Sequence, residues 1–171
     1  MNAFYGLLQK TRQRHGLPPQ PRAFFAAIQR HVMAADRGWV ALARKGDLLV
    51  AGAIFLHSGS TAIYKYGASD DVHQALRGNN LLMGRALEWY AQAGFGGMDF
   101  GRTSLGNPGL RRFKLSWGTT ERTLAYYHYS FRQSRFVPVV DKASGWHNAV
   151  FRRLPKILSQ WIGQVLYKHI D

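Results

Sequence analysis

The chain is expected to fold as an α/β (α+β) domain built on a mixed sheet with helices on both faces. Three observations predict this. Two helix-periodic segments precede any strand signal. Three strand-like runs then follow one another through short Gly-containing connections. Helix and strand patterns alternate after that, giving the order α-α-β-β-β-α-β-α-β. A length of 171 residues suffices for one ordinary domain with a real core, and 46% apolar with 13% aromatic content argues against disorder.

The first helix lies in "FYGLLQKTRQRHG", with Phe4, Leu7, Leu8 and Thr11 on one face and a basic end beside Gly16. "GLPPQP" breaks it, because consecutive prolines cannot continue a helix. "RAFFAAIQRHV" resumes helical spacing through Phe24, Ile28 and Val32. "WVALAR", "LLVAGAIFLHS" and "TAIYKYGAS" are joined by "KGD" and "GS", so they read as an antiparallel meander. The apolar middle run suits a strand covered on both faces. "NNLLMGRALEWYAQAGF" places Leu82, Ala86, Trp89, Tyr90 and Ala93 on one side and ends at Gly94, the expected helix stop. "GGMDFGR" is a short strand, made parallel to "TAIYKYGAS" by the crossover helix. A short helix "LRRFKLSW" and a further alternating strand, "TERTLAYYHYSF", follow.

Residues 1–140 read as one domain and 141–171 as a basic amphipathic extension. In that tail Ile157, Leu158, Trp161, Ile162, Val165 and Leu166 form a broad apolar stripe behind Arg152, Arg153 and Lys156, with Pro155 in the first helical turn. The tail either docks on its own domain or a second subunit, as in a homodimer, or lies in a membrane interface through Arg152, Arg153, Lys156 and Trp161.

A formal net charge of +14 draws the protein toward something anionic: nucleic acid, acidic lipid, a phosphorylated donor or an anionic polymer. A basic surface with no partner is the plain alternative. The absence of cysteine excludes disulfides and thiolate metal sites and is compatible with a reducing cytoplasm. No apolar run approaches a membrane span, and the N-terminal stretch lacks a signal-peptide pattern, so the expected location is cytoplasmic or peripheral at the inner face of the membrane. There is no Walker-type loop, dinucleotide fingerprint or G-x-S-x-G elbow, and the seven histidines are scattered, so no metal site is expected.

Asp99 lies at the end of the short parallel strand, where open sheets bind ligands. It could orient Arg102 or take a proton from an attacking amine, or it could hold a turn. Arg77, Gly78, Asn79 and Asn80 open the central helix and could bind a donor phosphate through backbone N–H groups, although Asn is also an ordinary N-cap. In "GRTSLGNPGLRRFKLSWG", Phe113 could wall a pocket into which Lys114 puts a cation that holds a phosphate or offsets an oxyanion. Alternatively, Phe113 and Trp117 are i, i+4 core neighbours with Lys114 in solvent. Tyr64, Tyr66, Asn107 and Trp117 complete the candidate substrate-binding set with Arg102.

"TRQRHGLPPQP", the meander and "DFGRTS…NPGLRRFKLSWG" resemble the Fem family, the aminoacyltransferases that build peptidoglycan cross-bridges on a GNAT-like (N-acetyltransferase) fold. The likeness runs from about Phe4 to about Tyr129. It is nearest to the Fem-like branch associated with exosortase and exopolysaccharide systems, whose basic tail is also similar. The resemblance implies acyl transfer from aminoacyl-tRNA or, as in related GNAT-like proteins, acyl-CoA. The implied acceptor is an amine or hydroxyl on an envelope precursor or polysaccharide. It puts the family's Phe-Lys pair at Phe113 and Lys114, the lysine near the donor's reacting end. Only the second of the two Fem halves is matched. The GNAT pyrophosphate loop is not reproduced, since "QALRGNN" has one glycine at a different offset. A non-catalytic basic binding module and a half-enzyme needing a partner chain are the alternatives.

Overall fold

The structure, a computed structural model, describes residues 1–138. The tail residues Arg152, Arg153, Lys156 and Trp161 and the stripe over 157–166 lie outside the described residues. The chain divides into two compact units, one spanning Met1–Gly101 and another beginning at Arg102.

In the first unit, α1 (Asn2–Arg14) buries Phe4, Leu7 and Leu8 of the anticipated face, with Tyr5 added and Thr11 only half-buried. It ends in a Schellman motif: Gly16 adopts φ 67°, its amide donates to Gln13 O at 3.0 Å, and Leu17 N donates to Arg12 O at 2.9 Å. The proline-rich break is pinned back on α1. The Tyr5 hydroxyl donates to Gln20 O at 3.0 Å and Arg12 Nε to Gln20 Oε1 at 3.3 Å. α2 (Arg22–His31) turns Phe25 inward rather than Phe24, which is 38% exposed. Phe25 meets Phe4, Tyr5 and Tyr66 edge to face with centroids 5.3–5.9 Å apart, so the aromatic cluster selects the rotation of the helix.

A 3-10 turn (Met33–Ala35) leads to β1 (Gly38–Lys45), β2 (Leu48–Ser58) and β3 (Thr61–Ser69). These pair as the expected antiparallel meander. Its two hairpin turns place Gly46 and Gly59 at φ 56°, a conformation that glycine adopts without strain. A second 3-10 turn (Asp71–Leu76) precedes α3 (Gly78–Gln92), which closes on Gly94 at φ 77° as the sequence implies. β4 (Gly97–Asp99) joins β3 in parallel, giving the order β1-β2-β3-β4. β2 shows why helices cover both faces. Ile54 packs into the α1–α2 cluster, while its neighbour Phe55 faces Trp39 and Tyr90 of α3. Phe4, Phe25, Ile54 and Phe55 are almost wholly buried. Truncating any one to Ala should cost about 2–5 kcal/mol.

The second unit holds α4 (Pro108–Leu115), β5 (Tyr127–Ser130) and β6 (Arg135–Pro138). The long strand expected from "TERTLAYYHYSF" is corrected here. Only Tyr127–Ser130 is extended, and it pairs with β6 in a separate two-stranded sheet. The alternation was real, but its partner is the next segment, reached through a turn that puts Ser134 at φ 46°.

Candidate active site

β3 and β4 are hydrogen-bonded only over Thr61–Gly97, Ala62–Met98 and Ile63–Asp99. Beyond Ile63, β3 runs on to Ser69 with no strand on that side among the described residues. There Thr11 of α1 takes the edge, donating its hydroxyl to Ser69 O at 3.2 Å and accepting from Ser69 N at 3.1 Å. Beyond Ile63, this edge of β3 is therefore paired with no further strand among the described residues, and an extended ligand could add to it there.

A bulge lies in the same stretch. The register passes from Phe55–Tyr64 to Ile54–Tyr66, leaving Lys65 as the extra residue. The inserted residue reverses the facing of the side chains beyond it. Tyr64 consequently packs on Phe55 and Phe100, at centroid distances of 5.6 and 6.4 Å, whereas Tyr66 packs on Phe24 and Phe25 on the opposite face. The two tyrosines paired as candidates are thus separated by the sheet itself. Burial pushes the Tyr64 phenol up to about 12. Its ring passes directly over Gly67, where a Cβ would overlap the hydroxyl and stand 2.7 Å from Cζ.

At the end of β4, Asp99 Oδ1 accepts a hydrogen bond from Gly101 N at 2.6 Å, bracing a turn in which Gly101 adopts φ 69°. The carboxylate is exposed and holds the turn, one of the three roles foreseen for it. Phe100, between them, is 8% exposed and backs Tyr64.

At the far end of β3 the chain is anchored before it reaches α3. Asp70, 7% exposed, accepts from Lys10 Nζ at 2.6 Å and from Val72 N at 3.2 Å, and its own amide donates to Val50 O at 2.9 Å. The Lys10 hydrogen bond is the main reason its carboxyl is held below the usual range. Arg77 sits in the left-handed region at φ 52°, and Gly78 begins α3 hard against β2. A Cβ there would lie 2.9 Å from Ala51 Cβ and 3.0 Å from Val50 Cγ1. Asn80 N donates to Arg77 O at 2.9 Å. The amides of Gly78 and Asn79 donate to no group among the described residues. They stand at the positive end of a 15-residue helix, with the Arg77 side chain exposed beside them.

The remaining candidates belong to the second unit. Asn107 caps α4, its side chain accepting from Leu110 N at 3.1 Å, with Pro108 opening the helix. Lys114 turns inward: it is 8% exposed, and its ammonium donates to Arg102 O at 2.9 Å. Phe113 and Trp117 meet edge to face at 6.4 Å as i, i+4 neighbours but are half-buried rather than core, and the lysine does not face solvent. The Arg102 guanidinium lies over the Tyr126 ring, 5.6 Å from its centroid, and donates to the Tyr126 hydroxyl.

Sequence reasoning missed the joint in which Lys10 meets Asp70 and Thr11 meets Ser69. These pairs meet across about sixty residues, and no local pattern announces such a contact. Gly67 could have been found, because a glycine inside a strand pattern signals a bulge or a close approach.

Residues 1–115 match the family described as the acetyltransferase (GNAT) domain. The chain belongs to the GNAT acetyltransferase family. That span includes both the open β3 edge and the Phe113–Lys114 pair. Two solved structures share the GNAT fold. The ribosomal-protein-S18-alanine N-acetyltransferase from Escherichia coli superimposes with a TM-score of 0.61 at 17% identity, over 82% of this chain and 90% of that one. A probable acetyltransferase gives 0.58 at 17% identity, over 82% and 93%. No curated protein sequence matches the chain. This GNAT protein is a transferase, and no helix among its described residues is long and apolar enough to cross a membrane.

Proposed function

We propose that the protein transfers an acyl group from acyl-CoA to an amine or hydroxyl acceptor, the donor lying along the open edge of β3. One observation carries this reading. Pairing of β3 with β4 stops at Ile63–Asp99, and the same strand then leads to a helix N-terminus with two undonated amides. The pantetheine arm of CoA is an extended chain with two amide groups, suited to adding as a strand along the β3 edge beyond Ile63. The diphosphate suits the amides of Gly78 and Asn79, with Arg77 supplying charge.

In the reaction the acceptor nitrogen or oxygen attacks the thioester carbonyl carbon, and the carbonyl oxygen takes up negative charge. The C–S bond then breaks, and the CoA thiolate leaves with the proton that the acceptor gives up. Positioning and charge stabilisation account for most of the rate in such a scheme. Tyr64 and Phe100 wall the reacting end, and Asp99, at the end of β4, is assigned to relay the acceptor's proton toward the leaving thiolate. The resemblance to Fem enzymes gives Lys114 the electrostatic role and Phe113 the shaping of the site, with Arg102, Asn107 and Trp117 around the acceptor.

A second reading keeps the chemistry and changes the donor. The Phe113–Lys114 pair within "DFGR…FKLSWG" supports aminoacyl-tRNA as donor and an envelope or polysaccharide acceptor, as in the Fem enzymes. In both readings residues 1–140 form one acyltransferase domain, with 141–171 as a basic extension that contacts a membrane or a second subunit.

The deciding experiment measures binding of acetyl-CoA and of aminoacyl-tRNA side by side at moderate salt. Uncharged tRNA serves as competitor, and Arg77→Gln and Lys114→Ala as variants. Acetyl-CoA binding weakened by Arg77→Gln supports the first reading. Aminoacyl-tRNA binding that resists uncharged tRNA and depends on Lys114 supports the second. Binding of neither donor sinks both.

A further inference from the structure

The β5–β6 hairpin turns a cluster of rings outward. Its register, Tyr127–Pro138 and Tyr129–Phe136, sets Tyr127, Tyr129 and Phe136 on one face. Phe131 in the turn meets Tyr129 with ring centroids 5.2 Å apart, and Tyr129 meets Phe136 at 5.1 Å. Phe131 is nevertheless 89% exposed and Phe136 69%. A two-stranded hairpin is marginal in water by itself, and a joined apolar surface on one marks an interaction site.

The charges around it narrow the partner. Arg122, Arg132 and Arg135 are exposed, and none is in an ion pair among the described residues. Glu121, the sole acidic residue of the segment 102–138, is already held by Arg111 at 2.7 Å. A second copy of this chain would bring like charges together on a protein of net charge +14. Single-stranded nucleic acid stacks its bases on open ring faces. Here Tyr129 meets Phe131 and Phe136 edge to face, at 80° and 72°, so the rings share no common plane on which successive bases could stack. Apolar rings at a hairpin tip, tyrosines with a polar end behind them and exposed arginines before, within and after the turn match a bilayer interface.

We propose that the β5–β6 hairpin docks the protein on an anionic lipid bilayer, with Phe131 and Phe136 entering the interface. The tyrosines then lie at head-group level, and Arg122, Arg132 and Arg135 contact lipid phosphates. Removing the three arginines should weaken partitioning about fivefold each, on the order of a hundredfold together.

The test uses the full chain with vesicles of phosphatidylcholine alone or mixed with phosphatidylglycerol. Because the protein has no cysteine, Gln133→Cys in the hairpin turn carries a single environment-sensitive fluorophore and leaves both phenylalanines in place. Asp47→Cys in the β1–β2 turn is the control. The expected result is co-sedimentation with the anionic vesicles only, weakening with salt. The label at 133 shifts to the blue and is quenched by lipids brominated in their tails, while the label at 47 does neither. An R122Q/R132Q/R135Q variant should lose binding, and an R152Q/R153Q/K156Q variant of the tail should keep it. A label at 133 that stays in water on the vesicles overturns the proposal, as does binding lost only with the tail variant. Single-stranded RNA that moves the label when vesicles do not would assign the surface to nucleic acid instead.

Discussion

Lys10 Nζ lies 2.6 Å from Asp70 Oδ2, joining the end of α1 to the turn that leads into α3. Asp70 is buried, while Lys10 is 48% exposed in its side chain, so the lysine can answer the charge with about half of its own hydration kept. The same carboxylate caps Val72 N, which makes it a joint between three segments. Hydrogen bonding by Lys10 depresses the Asp70 carboxyl in the folded state. A depressed carboxyl contributes stability above its unfolded value, near 4, and that contribution is lost as pH falls through the folded value.

Replacing Asp70 by Asn should therefore destabilise the protein at pH 7 by roughly 1 kcal/mol, the scale of a partly exposed pair. The difference between Asn and the native residue should shrink as the medium is acidified below pH 4. Urea unfolding of both proteins between pH 7 and 3 measures it. A gap that stays constant with pH would mean that the Val72 cap, and not the charge pair, is what the carboxylate supplies.

Tyr64 and Gly67 form a second tight relationship. Gly67→Ala places a methyl group where the tyrosine hydroxyl sits, so either the ring or the strand must move. The expected cost is about 1–3 kcal/mol, as for other overpacked sites. In a Tyr64→Leu background the same change should cost distinctly less, and a double-mutant cycle by thermal or urea unfolding reads the coupling.

Burial pushes both Tyr64 and Tyr90 up to about 12. An unfolded tyrosine ionises near 10, so between those values the folded state holds protons that the unfolded state has lost. Stability should then fall as pH rises from about 10 to 12. Tyr5 is raised by burial as well, so absorbance titration at 295 nm should show late phenols from these three residues, and Tyr64→Phe should remove one of them.

The meander, the parallel return through α3 and the helix stops at Gly16 and Gly94 were legible in the sequence because each rests on local chemistry: two-residue glycine turns, period-two runs and left-handed caps. The facing of Tyr66 was not legible. It depends on the bulge at Lys65, and one unpaired residue inverts every side chain beyond it. Phe25 displaced Phe24 from the core for a similar reason: both satisfy the spacing, and contacts with Phe4 and Tyr66 from distant segments decide between them. The hairpin partner of β5 was missed because Arg135–Pro138 carries too short a pattern to register as a strand. In the candidate site, Arg77–Asn80 could be read from the helix start, whereas the Lys10–Asp70 joint exists only once the sheet has formed.

Gly78 tests the packing of the proposed phosphate cradle. Valine at this position would drive its side chain into Val50 and Ala51, tilting the first turn of α3 away from β2. The expected result for Gly78→Val is a drop in Tm of several degrees, together with a larger KM for the acyl donor and little change in kcat. Steady-state kinetics at a temperature well below the new Tm separate the two effects. An unchanged donor KM would remove Gly78 and Asn79 from donor binding.

Lys114 is buried with its ammonium on Arg102 O, so a structural role and a catalytic role both predict that its loss matters. Lys114→Met keeps the stem and deletes the charge. It leaves the Arg102 carbonyl without this donor, which should cost about 1–3 kcal/mol. If the lysine also offsets charge forming on the attacked carbonyl, turnover per folded molecule should fall by roughly a hundredfold or more. Donor KM should hardly change, because the interaction would strengthen only in the transition state. Lys114→Arg retains the charge and should recover part of the rate. The readout is kcat normalised to the folded fraction, measured by near-ultraviolet circular dichroism on the same samples. A normalised kcat equal to that of the native protein, alongside a lowered Tm, would leave Lys114 as the tie between α4 and the start of its own unit and nothing more.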